Sequence, residues 1–299
     1  MKVKIGINPI AWSNDDVPAL GGDTPLEVCL SETKQAGYSG TELGGKFPRT
    51  TAELKPIMQR HGLAVISGWY DGRCDEKDVA EEMDAITPHL QLLKDMGADK
   101  VVYADTSRGR LDAVWNPISQ RPVLQADEWP TYGRKLTQLA ERMADFGVRM
   151  AFHHHMGTIV ETDAEVGLLM RHTGESVGLL YDTGHSSFSG GDPLQLIKTH
   201  VKRVVHVHCK DPRKPILDKA RTEDMSFMDA VLAGIFTVPG DGSIDYLPIL
   251  QVLAGADYSG WLVVEAEQDP KKAHPLTYAT MGFKNLSRLA GEAGFTVLN

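Results

Sequence analysis

The chain has 299 residues, of which 42% are hydrophobic and 24% are charged, and its formal net charge is −9. This composition is typical of a globular protein that is long enough to bury a large core. The acidic balance, without a basic run, argues against nucleic acid or an anionic membrane surface as a partner, and no apolar stretch reaches the length of a transmembrane helix.

Short β-rich segments alternate with helical patterns through the first half of the chain. The predicted strands cover 3–8, 40–43, 64–69 and 100–104, and the predicted helices cover 24–36, 51–61, 79–96 and 126–146. Asp23 and Thr24 are candidate N-caps of the first helix, and Gly37 is its expected stop. An irregular stretch, 105–122, precedes the fourth helix.

The second half repeats the alternation. Its predicted strands cover 148–153, 177–182, 204–208 and 262–265, and its predicted helices cover 163–172, 193–199, 246–253 and 276–293. Eight strand–helix units favour one (β/α)8 TIM barrel over residues 1–299, of the α/β class, whereas six or seven units would indicate an open sheet. A long insertion, about 209–242, follows the seventh strand and is expected to be a lid or a subunit contact.

Cysteine usage and the N-terminal segment point to a cytoplasmic protein. Cys29, Cys74 and Cys209 are far apart and odd in number, so they are expected to be reduced thiols instead of a disulfide framework. The first apolar run is too short for a signal peptide.

Histidine and carboxylate residues stand at the ends of four consecutive predicted strands. Strand five ends in 153–155 (His-His-His), strand six in Asp182 with His185 beyond it, strand seven in 206–208 (His-Val-His), and strand eight in 265–267 (Glu-Ala-Glu). Strand alternation places His153 with His155, His206 with His208, and Glu265 with Glu267 on shared faces. Active sites of these barrels lie where strands end, so a metal site is predicted there. Two imidazoles and two carboxylates suit Mn²⁺, Fe²⁺, Co²⁺ or Zn²⁺ better than Mg²⁺.

Other histidines and aromatic residues have simpler interpretations. A single histidine at a strand end is usually a hydrogen-bonded structural residue, and His154 is interpreted in this way. Five histidines fall in helical patterns and are expected to be surface or packing residues: His61, His89, His172, His200 and His274. Trp12, Trp69 and Tyr103 lie at strand ends and are equally consistent with pocket walls and with the core.

With these residues in place, the chain resembles the xylose-isomerase-like barrels, and within them the inosose dehydratases. The matching segments are GINPIAWSNDD (6–16), GGDTPLEVCLSETKQAGYSGTELGGKFPR (21–49), HHHMGT (153–158), YDTGH (181–185), VHVHCKD (205–211) and GWLVVEAEQDP (260–270). They span most of the chain, and they are specific only in combination. The broader family binds one metal ion at the ends of strands five to eight.

The resemblance implies a ligand set and a substrate. It implies that Asp182, His208 and Glu265 bind the metal, and that His153 stands where the broader family has glutamate. This change leaves the site less anionic and favours Mn²⁺ or Co²⁺. The implied substrate is scyllo-inosose, a small polyhydroxy cyclic ketone, and the implied product is a trihydroxycyclohexane-1,2-dione of inositol catabolism. Glutathione as a cofactor and assembly into a homo-oligomer are further implications.

Loss of water beside a ketone requires a base for the α-proton and an acid for the leaving hydroxide. His155 and His185 match substrate-contacting positions of related dehydratases and are the hypothesised proton-transfer groups. Glu42 and Lys210 are also hypothesised to be catalytic, Lys210 by polarising an oxygen or orienting Asp211. Asn8, Trp12, Glu42 and Lys46, on early loops, are expected to cover the pocket and bind the substrate.

Three other functions use the same features. A keto-sugar isomerase or epimerase would share the barrel and metal, but epimerases usually need two carboxylates beside the carbon, and His153 replaces one of them. A phosphodiesterase resembling the apurinic endonucleases would need a basic face, which the net charge of −9 disfavours. A non-catalytic barrel that binds a polyol or a partner protein would not need the metal-binding residues.

Overall fold

The computed structural model describes residues 1–109 and 114–298, and within these ranges the chain forms a closed parallel β/α barrel. The strands are β1 (Lys2–Ile7), β2 (Gly40–Leu43), β3 (Ala64–Gly72), β4 (Lys100–Asp105), β5 (Arg149–His153), β6 (Gly178–Asp182), β7 (Val204–Cys209), β8 (Asp211–Pro212), β9 (Phe236–Thr237), β10 (Gly260–Val264) and β11 (Thr296–Leu298). Strands β1 to β7 and β10 pair in chain order, and the pairing of β10 with β1 closes the barrel. The predicted eight-stranded barrel is therefore confirmed.

Helices follow the barrel strands, as the alternation predicts. They are α1 (Leu26–Ala36), α2 (Thr51–His61), α3 (Val79–Asp95), α4 (Trp129–Phe146), α5 (Asp163–His172), α6 (Thr183–Phe188), α7 (Pro193–His200), α8 (Lys214–Thr222), α9 (Phe227–Leu232), α10 (Tyr246–Gly255) and α11 (Pro275–Glu292). Short 3₁₀ turns occur at Pro9–Ala11, Ile118–Gln120 and Val201–Arg203.

Local sequence signals account for most helix boundaries. Asp78 and Thr162 form capping boxes at the starts of α3 and α5, and each accepts hydrogen bonds from backbone amides of the first turn. Helix α1 ends at Gly37, as predicted, in a left-handed conformation with a φ of 110°. The N-cap prediction for α1 is wrong, because the helix begins two residues later than expected and Pro25 occupies the N-cap position.

Two elements are not expected from the sequence. Helix α6 begins at Thr183, directly after β6, and Asp182 caps it by accepting a hydrogen bond from the amide of His185. Strand β11 pairs in parallel with the start of β1, from Lys2 to Lys4. Of the irregular stretch 105–122, residues 110–113 lie outside the described ranges.

The barrel interior is filled below the strand ends. Val102, Ala151, Leu180 and Val205 form a buried apolar group. Ala151 and Leu180 precede His153 and Asp182 by two residues, so these pairs share the inward face of their strands. The apolar layer therefore supports the polar layer at the carboxyl ends of the strands.

The insertion after β7 packs against this end of the barrel. It contains the antiparallel ribbon of β8 and β9 and the helices α8 and α9. Phe227 and Phe236 from the insertion join Met156 and Phe188 in a second apolar cluster. Ser226 also forms a β-bridge with Pro117, which ties the insertion to the segment after β4.

Across the two described ranges, no helix has the length and apolar character needed to cross a membrane.

Candidate metal centre and active site

The four predicted ligands converge at the carboxyl ends of β5, β6, β7 and β10. Asp182 Oδ2 lies 3.4 Å from His153 Nε2 and 3.5 Å from His208 Nδ1. Glu265 Oε2 lies 2.8 Å from the same His208 nitrogen. All four residues are buried, and His153, His208 and Glu265 line a cavity of about 370 Å³.

The donor set fits a divalent metal ion. His208 Nε2 lies 3.0 Å from Glu42 Oε1, and its Nδ1 atom faces carboxylate oxygens of Glu265 and Asp182. Burial lowers the pKa of His208, but Glu42 and Glu265 outweigh it and hold the pKa well above the usual range. The ring therefore carries a proton that a bound metal ion would displace. The Nδ1 contacts lack hydrogen-bond geometry. The buried carboxylates around this nitrogen need a positive charge beside them, and two nitrogen and two oxygen donors suit a borderline divalent metal. The residues present can therefore hold such an ion.

Electrostatics keeps the two carboxylates of this group ionised. Burial raises the pKa of Glu265, but Lys210 and His208 outweigh it and lower the pKa to about 2. Burial likewise disfavours ionised Asp182, yet His185, His153 and His208 hold its pKa well below the usual range. Burial lowers the pKa of His153 to about 4, so its imidazole is neutral. Ionised carboxylates and neutral imidazole are the forms that bind metals.

Glu42 lies beneath the metal-binding group and holds it in place. Its Oε1 atom lies 2.8 Å from His206 Nε2 and accepts a 2.6 Å hydrogen bond from Ser67. Its Oε2 atom accepts a 2.8 Å hydrogen bond from Asn8, whose amide also donates to Glu265. Glu42 thus orients His208 as a carboxylate behind the ligand.

Lys210 is fully buried between two carboxylates. Its ammonium nitrogen lies 2.6 Å from Glu265 Oε1, 2.5 Å from Glu267 Oε1 and 3.2 Å from His185 Nε2. Burial would lower the pKa of Lys210, but Glu265 and Glu267 raise it well above the usual range. His155, His185 and Glu267 also approach as a potential metal-binding group, yet the Lys210 ammonium already supplies the cation there.

The proposed proton-transfer histidines lie one against the other. The rings of His155 and His185 are 4.0 Å apart, and Phe227 of the insertion stacks on His185 at 5.5 Å. His155 lines the cavity, and its Nδ1 lies 2.8 Å from the carbonyl oxygen of Met156, which assigns the lone pair to Nε2. Burial, His155 and Lys210 hold the pKa of His185 well below the usual range.

Two predicted substrate-binding residues, Trp12 and Lys46, form hydrogen bonds to other parts of the protein. The Trp12 indole is 1% exposed and donates a 2.6 Å hydrogen bond to Glu32 on α1. The Lys46 ammonium donates to the backbone carbonyls of Gly21, Gly22 and Thr24. Asn8 does line the cavity.

The expected pairing of Lys210 with Asp211 is not formed. Asp211 instead accepts hydrogen bonds from the backbone amides of Ser243 and Ile244, and Lys210 turns to Glu265 and Glu267. Asp211 thereby fastens the end of the insertion, because its carboxylate can satisfy several amides at once.

The cavity also contains three acidic residues to which the sequence assigns no role, and Trp69, one of the candidate pocket walls. Glu267, Asp16 and Asp71 line it, and so does Trp69, whose ring makes edge contacts with His153 and His155 at 5.5 and 5.3 Å. The face shared by Glu265 and Glu267 is a signal for Glu267. Tyr103, in contrast, is buried and donates to Glu82, as expected of a core residue.

His154 is held by its surroundings, as its structural interpretation requires. Its Nε2 atom accepts from the amide of Asp182, and its Nδ1 atom lies 3.4 Å from the carbonyl oxygen of Glu161.

Comparisons with known proteins give the family. A family model described as a xylose isomerase-like TIM barrel matches residues 30–286. The chain is 66% identical to the rhizopine catabolism protein MocC of Rhizobium meliloti, over 99% of this chain and 91% of that protein. It is 43% identical to an inosose dehydratase of Geobacillus thermodenitrificans, over 93% of this chain and 94% of that enzyme.

A solved structure supports the same fold. The IOLI protein, described with a bound zinc atom, is 18% identical and superposes with a TM-score of 0.67 over 97% of this chain and 99% of that one. From the family match and these relatives, the chain belongs to the xylose isomerase-like TIM-barrel family, in the group that contains the inosose dehydratases and MocC.

Proposed function

We propose that this protein is a metal-dependent inosose dehydratase, a hydro-lyase that removes water from scyllo-inosose to give a trihydroxycyclohexane-1,2-dione. The observation that carries the proposal is the group of four buried donors, His153, Asp182, His208 and Glu265, beside a cavity of about 370 Å³. Identities of 43% and 41% to enzymes named inosose dehydratase support the reaction and the substrate.

Mn²⁺ or Co²⁺ is the proposed metal. Imidazole and carboxylate donors together suit these ions better than Mg²⁺, which prefers oxygen ligands and keeps its water. When bound, such an ion draws electron density from the ketone oxygen and stabilises the negative charge that develops as the neighbouring proton leaves.

His155 is proposed to take that proton. Its ring lines the cavity, and the carbonyl of Met156 fixes the tautomer that leaves the lone pair on Nε2. Removal of the α-proton breaks the C–H bond, and its electron pair then expels the hydroxide from the next carbon. The hydroxide takes up the proton that His155 has gained and leaves as water, which returns His155 to its starting form. His185 is proposed to orient the His155 ring, and Lys210 to hold the carboxylates of Glu265 and Glu267.

The remaining implications of the resemblance are also proposals. The three cysteines are free and buried, which fits a reducing cytoplasm. Burial raises the pKa of all three thiols, which disfavours a reactive thiolate from the chain itself. Glutathione is proposed as an added thiol on the resemblance alone. Self-association into a homo-oligomer stays a prediction.

The test is product identification by mass spectrometry and NMR. Protein stripped of metal, then supplied with Mn²⁺ or Co²⁺ with and without glutathione, is incubated with scyllo-inosose. The proposal predicts a product lighter than the substrate by one water, with the signals of a dione or its enol. A product of unchanged mass would instead indicate an isomerase or epimerase, and the absence of any product with either metal would reject the dehydratase.

A further inference from the structure

Glu267 combines deep burial with an unused hydrogen-bond acceptor. The residue is 2% exposed and lines the cavity. Its Oε1 atom is held by Lys210, whereas Oε2 has no hydrogen-bond partner among the described residues. Buried carboxylate oxygens are rarely left without a donor, so an unpartnered one beside a cavity indicates that a ligand supplies the donor.

Lys210 cannot bind this ligand itself. An ammonium group has three N–H donors, and those of Lys210 face Glu265, Glu267 and His185. The aliphatic stem and the ammonium are enclosed, with the Phe236 ring 4.6 Å from the nitrogen. Lys210 is therefore a positioning residue that fixes Glu267, and it leaves Glu267 as the polar group that meets the ligand.

Glu267 lies close to the histidines that are proposed to transfer protons. One ligand atom each from His155, His185 and Glu267 lie within 4.8 Å of one another. Lys210 links Glu267 to Glu265, which belongs to the proposed metal-binding group. A ring held at the metal and facing His155 would therefore present another of its hydroxyl groups to Glu267.

We propose that Glu267 is a specificity-determining residue, whose Oε2 atom accepts a hydrogen bond from one ring hydroxyl of a cyclic polyol. The inference rests on the proposed function for the class of ligand. A site that hydrogen-bonds a hydroxyl through a buried group rejects the analogue that lacks it, because the group then stays unpaired. Glu267 thereby distinguishes the fully hydroxylated ring from its deoxy analogues.

The experiment measures binding instead of turnover, so its result is separate from that of the dehydratase assay. Mn²⁺-loaded protein is titrated by calorimetry with myo-inositol, whose single axial hydroxyl makes its six ring positions inequivalent in a chiral site, and with each of its monodeoxy analogues. The unmodified protein is expected to bind one monodeoxy analogue about 10- to 100-fold more weakly than the parent, as for a hydrogen bond to a charged group. In Glu267→Ala, this preference should fall to about one.

A matched control and a second variant separate binding from structure. Gln268 is the next residue, equally buried, and its amide donates to Thr237. Gln268→Ala should keep the preference. Glu267→Leu keeps most of the side-chain volume and has no hydrogen-bonding group, so it should also lose the preference even if Glu267→Ala folds poorly.

Metal content and melting temperature test whether Glu267 acts only by balancing the charge of Lys210. In that case the Glu267 variants would lose metal or melt at a lower temperature, and their affinities for all the cyclohexane polyols would fall by the same factor. A preference that persists in both Glu267 variants overturns the inference. So does an unmodified protein that binds no polyol, or that binds every analogue equally.

Discussion

Individual side chains at the strand ends show what a single sequence can predict. Alternation along 153–155 separates His153 and His155 from His154, and the structure agrees. Alternation cannot find partners across the barrel. Glu42 lines the cavity and contacts His206 and His208, which lie 164 and 166 positions away in the chain. The catalytic role that the sequence suggests for Glu42 stays a prediction. Trp12 and Lys46 likewise have partners, Glu32 and backbone carbonyls, that no local pattern indicates.

Glu161 offers a pH-dependent prediction at the residue scale. It ends the buried loop after β5, accepts a 2.7 Å hydrogen bond from Gly157, and lies 3.4 Å from Arg121 Nε. Burial outweighs the opposing effects of Arg121 and Gly157 and raises the pKa of Glu161 from 4.5 to about 7. The folded state therefore binds this proton more tightly than the unfolded state. The resulting stability is fully present below pH 4.5 and is lost as the pH rises through about 7.

The measurement is urea unfolding of the unmodified protein and Glu161→Gln at intervals across that range. The substituted amide does not titrate, so the stability of the variant relative to the unmodified protein should increase by about 3 kcal/mol with rising pH. Other titrating groups cancel in the difference. A difference that does not change with pH would show that folding leaves the pKa of Glu161 unshifted.

At the scale of elements, the strands and long helices are predictable because their patterns are local. The bounds of β2, α2 and α5 agree with the predicted ranges. Helix α6 escapes prediction because Gly184, His185 and two serines are weak helix formers. Its helix depends on the Asp182 cap and on burial of every residue from Thr183 to Phe188. The packing of Phe227 against His185 is also not predictable from local sequence patterns, because it joins the insertion to another part of the chain.

The close packing of α6 on β7 leads to a prediction for two glycines. A Cβ atom at Gly184 would overlap the Cγ atom of Lys210, whereas a Cβ at Gly167, inside α5, would meet nothing within 4 Å. Gly184→Ala should therefore displace Lys210 from Glu265 and destabilise the protein by about 1–3 kcal/mol, as overpacking does. Gly167→Ala should stabilise it by about 0.5–1 kcal/mol through helix propensity.

Urea unfolding gives both free energies, and elemental analysis after dialysis gives the metal content. Gly184→Ala should also retain less metal, since Lys210 no longer holds Glu265, while Gly167→Ala should retain as much as the unmodified protein. Equal stability and equal metal content in the two variants would contradict the tight contact between α6 and Lys210.

For the whole molecule, closure of the barrel is what turns separate strand-end residues into one site. The eight alternations predict the closed sheet, and closure brings Glu265, directly after β10, beside Asn8, directly after β1. Strand β11 is not predictable in this way, because its three residues gain their pairing only where β1 offers an unpaired edge. The insertion packs on this end of the barrel, and its expected role as a lid or a subunit contact stays a prediction.

The central claim is that one metal ion, held at the carboxyl ends of β5, β6, β7 and β10, is required for the loss of water. The most direct measurement is a titration of metal-free protein with Mn²⁺ or Co²⁺, with formation of the dione followed by absorbance after each addition. We expect the rate to rise in proportion to added metal and to stop rising at one ion per chain. Full activity in the metal-free protein, or no activity at any metal content, would contradict it.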